Sequence, residues 1–229
     1  MRVDTGHGVD RSKAVSFKFD TKTYWGFEGD TLASALLANG VKVVGRSFKY
    51  HRPRGIISEG SQEPNGLVEL RSGDQTTPNV RLTTQELHQD LKVYSQNHMG
   101  SLKWDLLEVN DLLSPFLSAG FYYKTFMWPR RFWERLYEPL IRRAAGLGSL
   151  SMHENKDYYE KAFAFCDVLV IGSGPAGIMA ALTAAKAGAK VILCEEDFSF
   201  GGRLNVENYE VDGKPGHLWV KERISELLE

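Results

Sequence analysis

Asp167–Glu196 reads DVLVIGSGPAGIMAALTAAKAGAKVILCEE, and the order strand, glycine-rich turn, helix, strand is legible in it. Cys166–Ile171 is a compact apolar run, suited to a strand buried on both faces. Gly172, Gly174 and Gly177 follow with the spacing G-x-G-x-x-G. The first glycine permits a tight turn, the second lets a pyrophosphate approach the backbone, and the third lets the helix pack closely on the strand. Ala, Leu and Met then dominate, as in a helix, and Gly188 is placed to stop it. Val191–Cys194 is a second strand. Glu195 follows at the distance where a carboxylate meets a ribose hydroxyl. The helix start adds free N–H groups and a positive dipole end for phosphate. The pattern predicts a dinucleotide site; by itself it does not choose between NAD and FAD.

Working outward, Glu196 and Asp197 flank the acid, and Gly201-Gly202-Arg203 comes next. A second glycine pair allows backbone to pass near the cofactor. Arg203 is a candidate phosphate contact or an exposed cation. Trp219–Leu228 has the apolar spacing of an amphipathic helix. The chain has 229 residues and stops soon after this βαβ unit, whereas a doubly wound domain needs more strands and helices. The expectation is the N-terminal part of a longer polypeptide.

Upstream, Val15, Phe17 and Phe19 alternate with Ser16 and Lys18 as in a half-buried strand. Asp20-Thr21-Lys22 can turn into a returning strand at Thr23–Phe27. Met1–Lys13 is polar and aperiodic, as in a terminal arm. Asp30 is a candidate N-cap for a helix over Thr31–Asn39, with Leu32, Ala35 and Leu36 on one face and Gly40 closing it. Val41, Val43 and Val44 resume strand character, and Leu67–Leu70 and Val80–Leu82 are further short strands. A small sheet gripping one helix is a ferredoxin-like or ubiquitin-like arrangement. A plant-type iron–sulfur protein of that shape offers C-x4-C-x2-C after the helix. Gly45–Glu63 contains no cysteine, so the expectation is a cluster-free domain with no metal site.

That loop carries Arg46, Lys49, His51, Arg52 and Arg54 between Phe48 and Tyr50. It can be read as anion-contacting, or as an ordinary solvated or interface loop; general loop behaviour favours the second. Gln85–Leu113 gives no clear pattern. Pro129 suits the start of a helix on which Phe132, Trp133, Leu136, Tyr137, Leu140 and Ile141 share a face, with Pro139 interrupting it. The stripe suits interface or interdomain packing better than base stacking. A linker runs from Gly146 to about Lys156, and a helical turn over Tyr158–Ala164 leads into the nucleotide unit.

Composition sets outer bounds. The net charge of −1 implies no general attraction to nucleic acid or membrane. No run of about 18 apolar residues exists to span a bilayer. Cys166 and Cys194 lie in the paired strands as small apolar residues, too few for a metal set and not expected to form a disulfide. With no secretory start, a cytoplasmic setting is the expectation.

Three stretches carry a family resemblance. GDTLASALLANGVKVVGRSFKYHRPRGI (Gly29–Ile56) with EPN (Glu63–Asn65), then AGFYYKTFMWPR (Ala119–Arg130), then EPLIRRAAGLG (Glu138–Gly148), resemble the alpha subunit of heterotetrameric sarcosine oxidases. The resemblance implies an α/β chain in three parts. These are a ferredoxin-like β-grasp domain without cluster (1–100), a helical connector (101–160), and the start of a Rossmann-like FAD/NAD(P)-binding domain (161–229).

It further implies beta, gamma and delta partner subunits, and oxidation of the sarcosine N-methyl group. Glycine and hydrogen peroxide leave, with formaldehyde or, given tetrahydrofolate, methylenetetrahydrofolate. FAD and FMN are carried by the beta subunit, and NAD by this chain. Carried across, the phosphate turn is Gly172, Ser173, Gly174, Pro175, Ala176 and Gly177. Glu195 takes the ribose position beside Glu196 and Asp197, and Gly202 and Arg203 follow; at Arg203 the chain departs from the hydroxyl residue that relatives often have. A glutamate there favours NAD over NADP, because a carboxylate repels a 2′-phosphate. No acid, base or nucleophile is assigned to the chain. Two other readings stay open: an FAD-dependent amine or opine-type dehydrogenase or disulfide-reductase-like enzyme, and an assembly module that binds no nucleotide.

Overall fold

The computed structural model describes residues 2, 8–115, 117, 119–121, 126 and 128–229. Much of the Ala119–Arg130 stretch lies outside them. The chain divides into two compact units, one mainly Val9–Asn155 and the other mainly Lys156–Glu229.

In the first unit β1 (Asp10–Phe19) turns at Asp20 (φ 54°) into β2 (Lys22–Glu28), and α1 is Leu32–Ala38. Two short strands, β3 (Gly45–Arg46) and β4 (Pro53–Arg54), pair across the basic loop. β5 (Leu67–Ser72), β6 (Gln75–Arg81) and β7 (Leu91–Ser95) complete a five-stranded sheet of order β2-β1-β7-β5-β6, with β1 and β7 parallel and the other pairs antiparallel. The expected β-grasp is therefore present: Leu32, Ala35 and Leu36 are fully buried against Phe17, Val68 and Val93.

Several local expectations need correction. The first strand begins at Asp10, so the polar stretch before Lys13 is partly sheet. The helix cap is Thr31, whose hydroxyl accepts from Ser34 N–H at 3.1 Å. Asp30 instead accepts from Phe27 N–H at 2.9 Å and Ser34 Oγ at 2.6 Å, and pairs with Arg2. Val41, Val43 and Val44 are irregular backbone, although Val44 is buried in the core. β7 lies within the stretch that had no clear pattern.

The basic loop is more than a solvated one, because Arg46 and His51 are buried. Arg46 donates to the carbonyls of Leu102 and His51 and pairs with Glu108. His51 Nδ1 meets Asp105 Oδ2 at 2.6 Å, with both side chains fully buried. Asp105 also accepts from the N–H groups of Met99 and Leu107. Glu63, likewise buried, accepts from the N–H groups of Ile57, Ser58 and Asn65. The residues that make these stretches distinctive hold the loop together.

Beyond the sheet, one 3₁₀ turn (Leu106–Asp111) precedes another (Arg130–Phe132), a π-turn (Trp133–Tyr137) and α2 (Glu138–Ala144). Pro139 sits in the first turn of α2, where its missing N–H costs nothing, and the interruption it demands is the π-turn just before it.

In the second unit β8 (Val168–Ile171) and β9 (Val191–Cys194) pair in parallel, and α3 (Pro175–Lys186) joins them. A 3₁₀ turn (Gly202–Asn205) and a small hairpin of β10 (Glu210–Val211) and β11 (Lys214–Pro215) lead to α4 (Gly216–Leu228). Ile178 and Leu182 of α3 pack with Leu204, Trp219 and Val220 as a second core. Tyr158–Ala164 forms no helix and is exposed, since one isolated turn does not repay its nucleation cost. β8 is not buried on both faces: Leu169 is 54% and Ile171 82% exposed, because a two-stranded sheet has only α3 against it. For the same reason Cys194 is exposed and Cys166, which precedes β8, is half-buried; both are free thiols.

Candidate functional site

The site is built where β8 ends. Gly172 has φ 93°, a conformation that favours glycine and turns the chain off the strand. A Cβ on Gly177 would lie 1.9 Å from the Gly172 carbonyl oxygen, so helix and turn touch only because that carbon is missing. Gly174 differs: its φ is −62°, and a Cβ built there meets nothing within 4 Å. The protein's own packing does not demand glycine at 174. The open space lies beside the start of α3, which has Pro175 at its first position and no side-chain cap. Uncapped N–H groups and the positive helix end favour an anion there.

Three further pieces converge on this turn. Glu195, just past β9, accepts at one carboxylate oxygen from Ser173 N–H at 2.6 Å and from Ser173 Oγ. The other oxygen accepts from the N–H groups of Glu196 at 2.8 Å and Asp197 at 3.1 Å. Burial alone would raise the Glu195 pKa; the Ser173 hydroxyl and the three backbone donors outweigh it and hold the group below its ordinary value. Asp197 is pushed the other way, by burial and by the neighbouring Glu195 and Glu196 charges. Gly201 (φ 122°) donates its N–H to the Ser173 carbonyl at 3.0 Å and to Ser173 Oγ at 3.1 Å. Gly202 lies so near Gly174 that a Cβ on it would sit 3.3 Å from the Gly174 Cα.

Gly172, Ser173, Gly174, Glu195 and Gly202 are thus brought together, with Pro175, Ala176 and Gly177 opening the helix. Glu196 and Asp197 join through their backbone. Arg203 is directed elsewhere: its Nε donates to Glu207 at 2.6 Å, an i,i+4 pair that the spacing of the two residues could have signalled. The bridging role of the Ser173 hydroxyl had no signal in the sequence, because it joins residues 22 and 28 positions away.

Fold and site together define a chain with a ferredoxin-like β-grasp unit followed by a βαβ unit whose glycine-rich turn faces an acid after the second strand. Comparison with known proteins agrees. Residues 12–98 match the family model described as "2Fe-2S iron-sulfur cluster binding domain", and residues 167–226 match "FAD dependent oxidoreductase". The chain is 56% identical to sarcosine oxidase subunit alpha of Rhizobium meliloti (strain 1021) over 96% of its own length, covering 22% of that protein. It is 32% identical to the subunit of the same name from Corynebacterium sp. (strain P-1), covering 96% of this chain and 18% of that one. The solved structure of L-proline dehydrogenase from P. horikoshii matches with a TM-score of 0.52 at 20% identity, over 95% of this chain and 32% of that one, a likeness of fold. The resemblance to sarcosine oxidase subunit alpha is therefore shown, along nearly the whole chain, which spans about a fifth of the curated relatives' length.

The residues do not fit one group that a matched family name implies. The two cysteines are Cys166 and Cys194, so residues 12–98 offer no thiolate to a cysteine-ligated 2Fe-2S cluster. The glycine turn at the uncapped start of α3, tied through Ser173 to the Glu195 carboxylate, has the donor and acceptor groups that would hold a dinucleotide. Among the described residues no helix is long and apolar enough to cross a membrane.

Proposed function

We propose that the turn from Gly172 to Gly177 holds the diphosphate of NAD, that Glu195 takes the adenosine ribose, and that the chain supplies this site to an enzyme oxidising sarcosine. One observation carries the nucleotide reading: the glycine turn leads into an uncapped helix start and is tied through Ser173 to the Glu195 carboxylate. The similarity to sarcosine oxidase subunit alpha carries the enzyme reading. On it, sarcosine, water and dioxygen give glycine, formaldehyde and hydrogen peroxide; with tetrahydrofolate taking the place of water, methylenetetrahydrofolate forms instead of formaldehyde, and dioxygen is the oxidant in both cases. Beta, gamma and delta subunits complete the assembly, with FAD and FMN in the beta subunit. On this reading the NAD is held without redox turnover, and sarcosine is oxidised at the FAD of the beta subunit. The residues of this chain bind its phosphates, fix its ribose and exclude a 2′-phosphate through the Glu195 charge. None of them is placed as a general acid, base or nucleophile.

A second reading puts FAD in the same crevice, and the match of residues 167–226 to an FAD-dependent model favours it. Both dinucleotides share the ADP moiety that the turn would grip. The test is denaturing extraction of the isolated full-length alpha chain with identification of the released nucleotide, alongside sarcosine-dependent peroxide formation by the complete assembly with its partner subunits. NAD with peroxide is the expected result. FAD would transfer the site to the second reading, and no peroxide would overturn the assigned activity.

A further inference from the structure

Ser173 occupies the first variable position of the glycine motif, where a phosphate contact is the ordinary expectation. Its side chain is fully buried and turned toward other protein groups. The hydroxyl has one proton, given to Glu195, and its oxygen accepts the N–H of Gly201 at 3.1 Å. One buried oxygen therefore joins the phosphate turn, the acid after β9 and the second glycine pair. Two consequences follow from the geometry. The Glu195 carboxylate is held by the protein's own donors, since each of its oxygens accepts two hydrogen bonds. The Gly201-Gly202 backbone is held close to Gly174, so that a Cβ on Gly202 would lie 3.3 Å from the Gly174 Cα.

We propose that Ser173 is a positioning residue of the dinucleotide site, presetting the ribose-binding carboxylate and clamping the Gly201-Gly202 segment over the phosphate turn. This rests on the dinucleotide reading above. A bound sugar would then meet a carboxylate held in a single orientation, which cuts the ordering cost of binding. Ser173 would act on the ligand through Glu195 and Gly201, without touching it.

The experiment uses the full-length protein, wild type and with Ser173→Ala, Ser173→Thr or Glu195→Gln. After removal of whatever nucleotide co-purifies, the affinity for ADP, which NAD and FAD share, is measured from pH 4 to 8. Ser173→Ala should weaken ADP binding about tenfold at neutral pH, the scale of one hydrogen bond to a charged group. Its affinity should also begin to fall at a higher pH than in wild type, because Glu195 loses a donor that keeps it ionised. Ser173→Thr restores the hydroxyl and should recover both properties. A merely structural loss would weaken binding equally at every pH and would not be rescued selectively. An unchanged affinity and pH profile in Ser173→Ala, with Glu195→Gln impaired, would overturn the proposal and leave the site intact. Absence of ADP binding to wild type would instead overturn the dinucleotide reading itself.

Discussion

At the scale of single residues, the buried hydrogen-bonded polar groups are the telling feature. Asp105 and His51 form a pair with no exposed side-chain surface. Burial pushes the Asp105 pKa up, but the N–H groups of Met99 and Leu107, together with His51, hold it below the ordinary 3.8. A carboxylate depressed in the folded state contributes stability above its unfolded value and loses it as pH falls through the folded one. The first unit should therefore lose this contribution below about pH 4. Asp105→Ala leaves the buried His51 ring nitrogen and the N–H groups of Met99 and Leu107 without their acceptor and should cost about 2 kcal/mol in urea unfolding at pH 7. A change within about 0.5 kcal/mol, the usual effect at an inert surface position, would contradict the role given to the pair. None of this was legible in the sequence. His51 and Asp105 are 54 positions apart, and a histidine in a basic loop gives no sign that it is buried. The wrong assignment of the α1 cap has a similar origin: Asp30 and Thr31 are both good caps, and only the Arg2, Phe27 and Ser34 contacts of Asp30 decide between them.

At the scale of elements, strands and helices with strong periodicity were legible, and short or irregular ones were not. The β1–β2 hairpin, the buried face of α1, and the β8–α3–β9 unit follow from apolar spacing and glycine placement. β7 was missed because only Leu91 and Val93 of its five residues are buried, too short a pattern to stand out. The π-turn before α2 reflects a conflict between a continuous apolar stripe and Pro139, which periodicity alone does not resolve. The unit joining β8 to α3 has one point of no tolerance. Gly177→Ala drives a methyl into the Gly172 carbonyl, so turn and helix must separate. The expected outcome is selective unfolding of Lys156–Glu229 by proteolysis or hydrogen exchange, with the first unit still protected. Wild-type protection of α3 in that variant would contradict the close approach.

At the scale of the whole molecule, two compact units that match different family models share one chain. The β-grasp unit was recognisable by pattern, yet its family-like stretches serve its own folding, through Arg46, His51 and Glu63. The second unit shows its chemistry in the sequence, because turn, helix start and acid are local and spaced regularly. The exposed Leu169 and Ile171 faces were misjudged because a strand's composition reports what a complete sheet would bury, and two strands bury only one side. The central claim is that the turn after β8 holds a dinucleotide diphosphate, and Gly174 tests it most directly. A Cβ at 174 meets nothing within 4 Å and the φ of −62° suits any residue, so Gly174→Val should fold as wild type does while placing its methyl groups where the diphosphate is proposed to sit. Nucleotide released from equal amounts of intact wild-type and Gly174→Val protein should be near one equivalent for the first and near none for the second. An equal yield from both would place the nucleotide elsewhere and contradict the account.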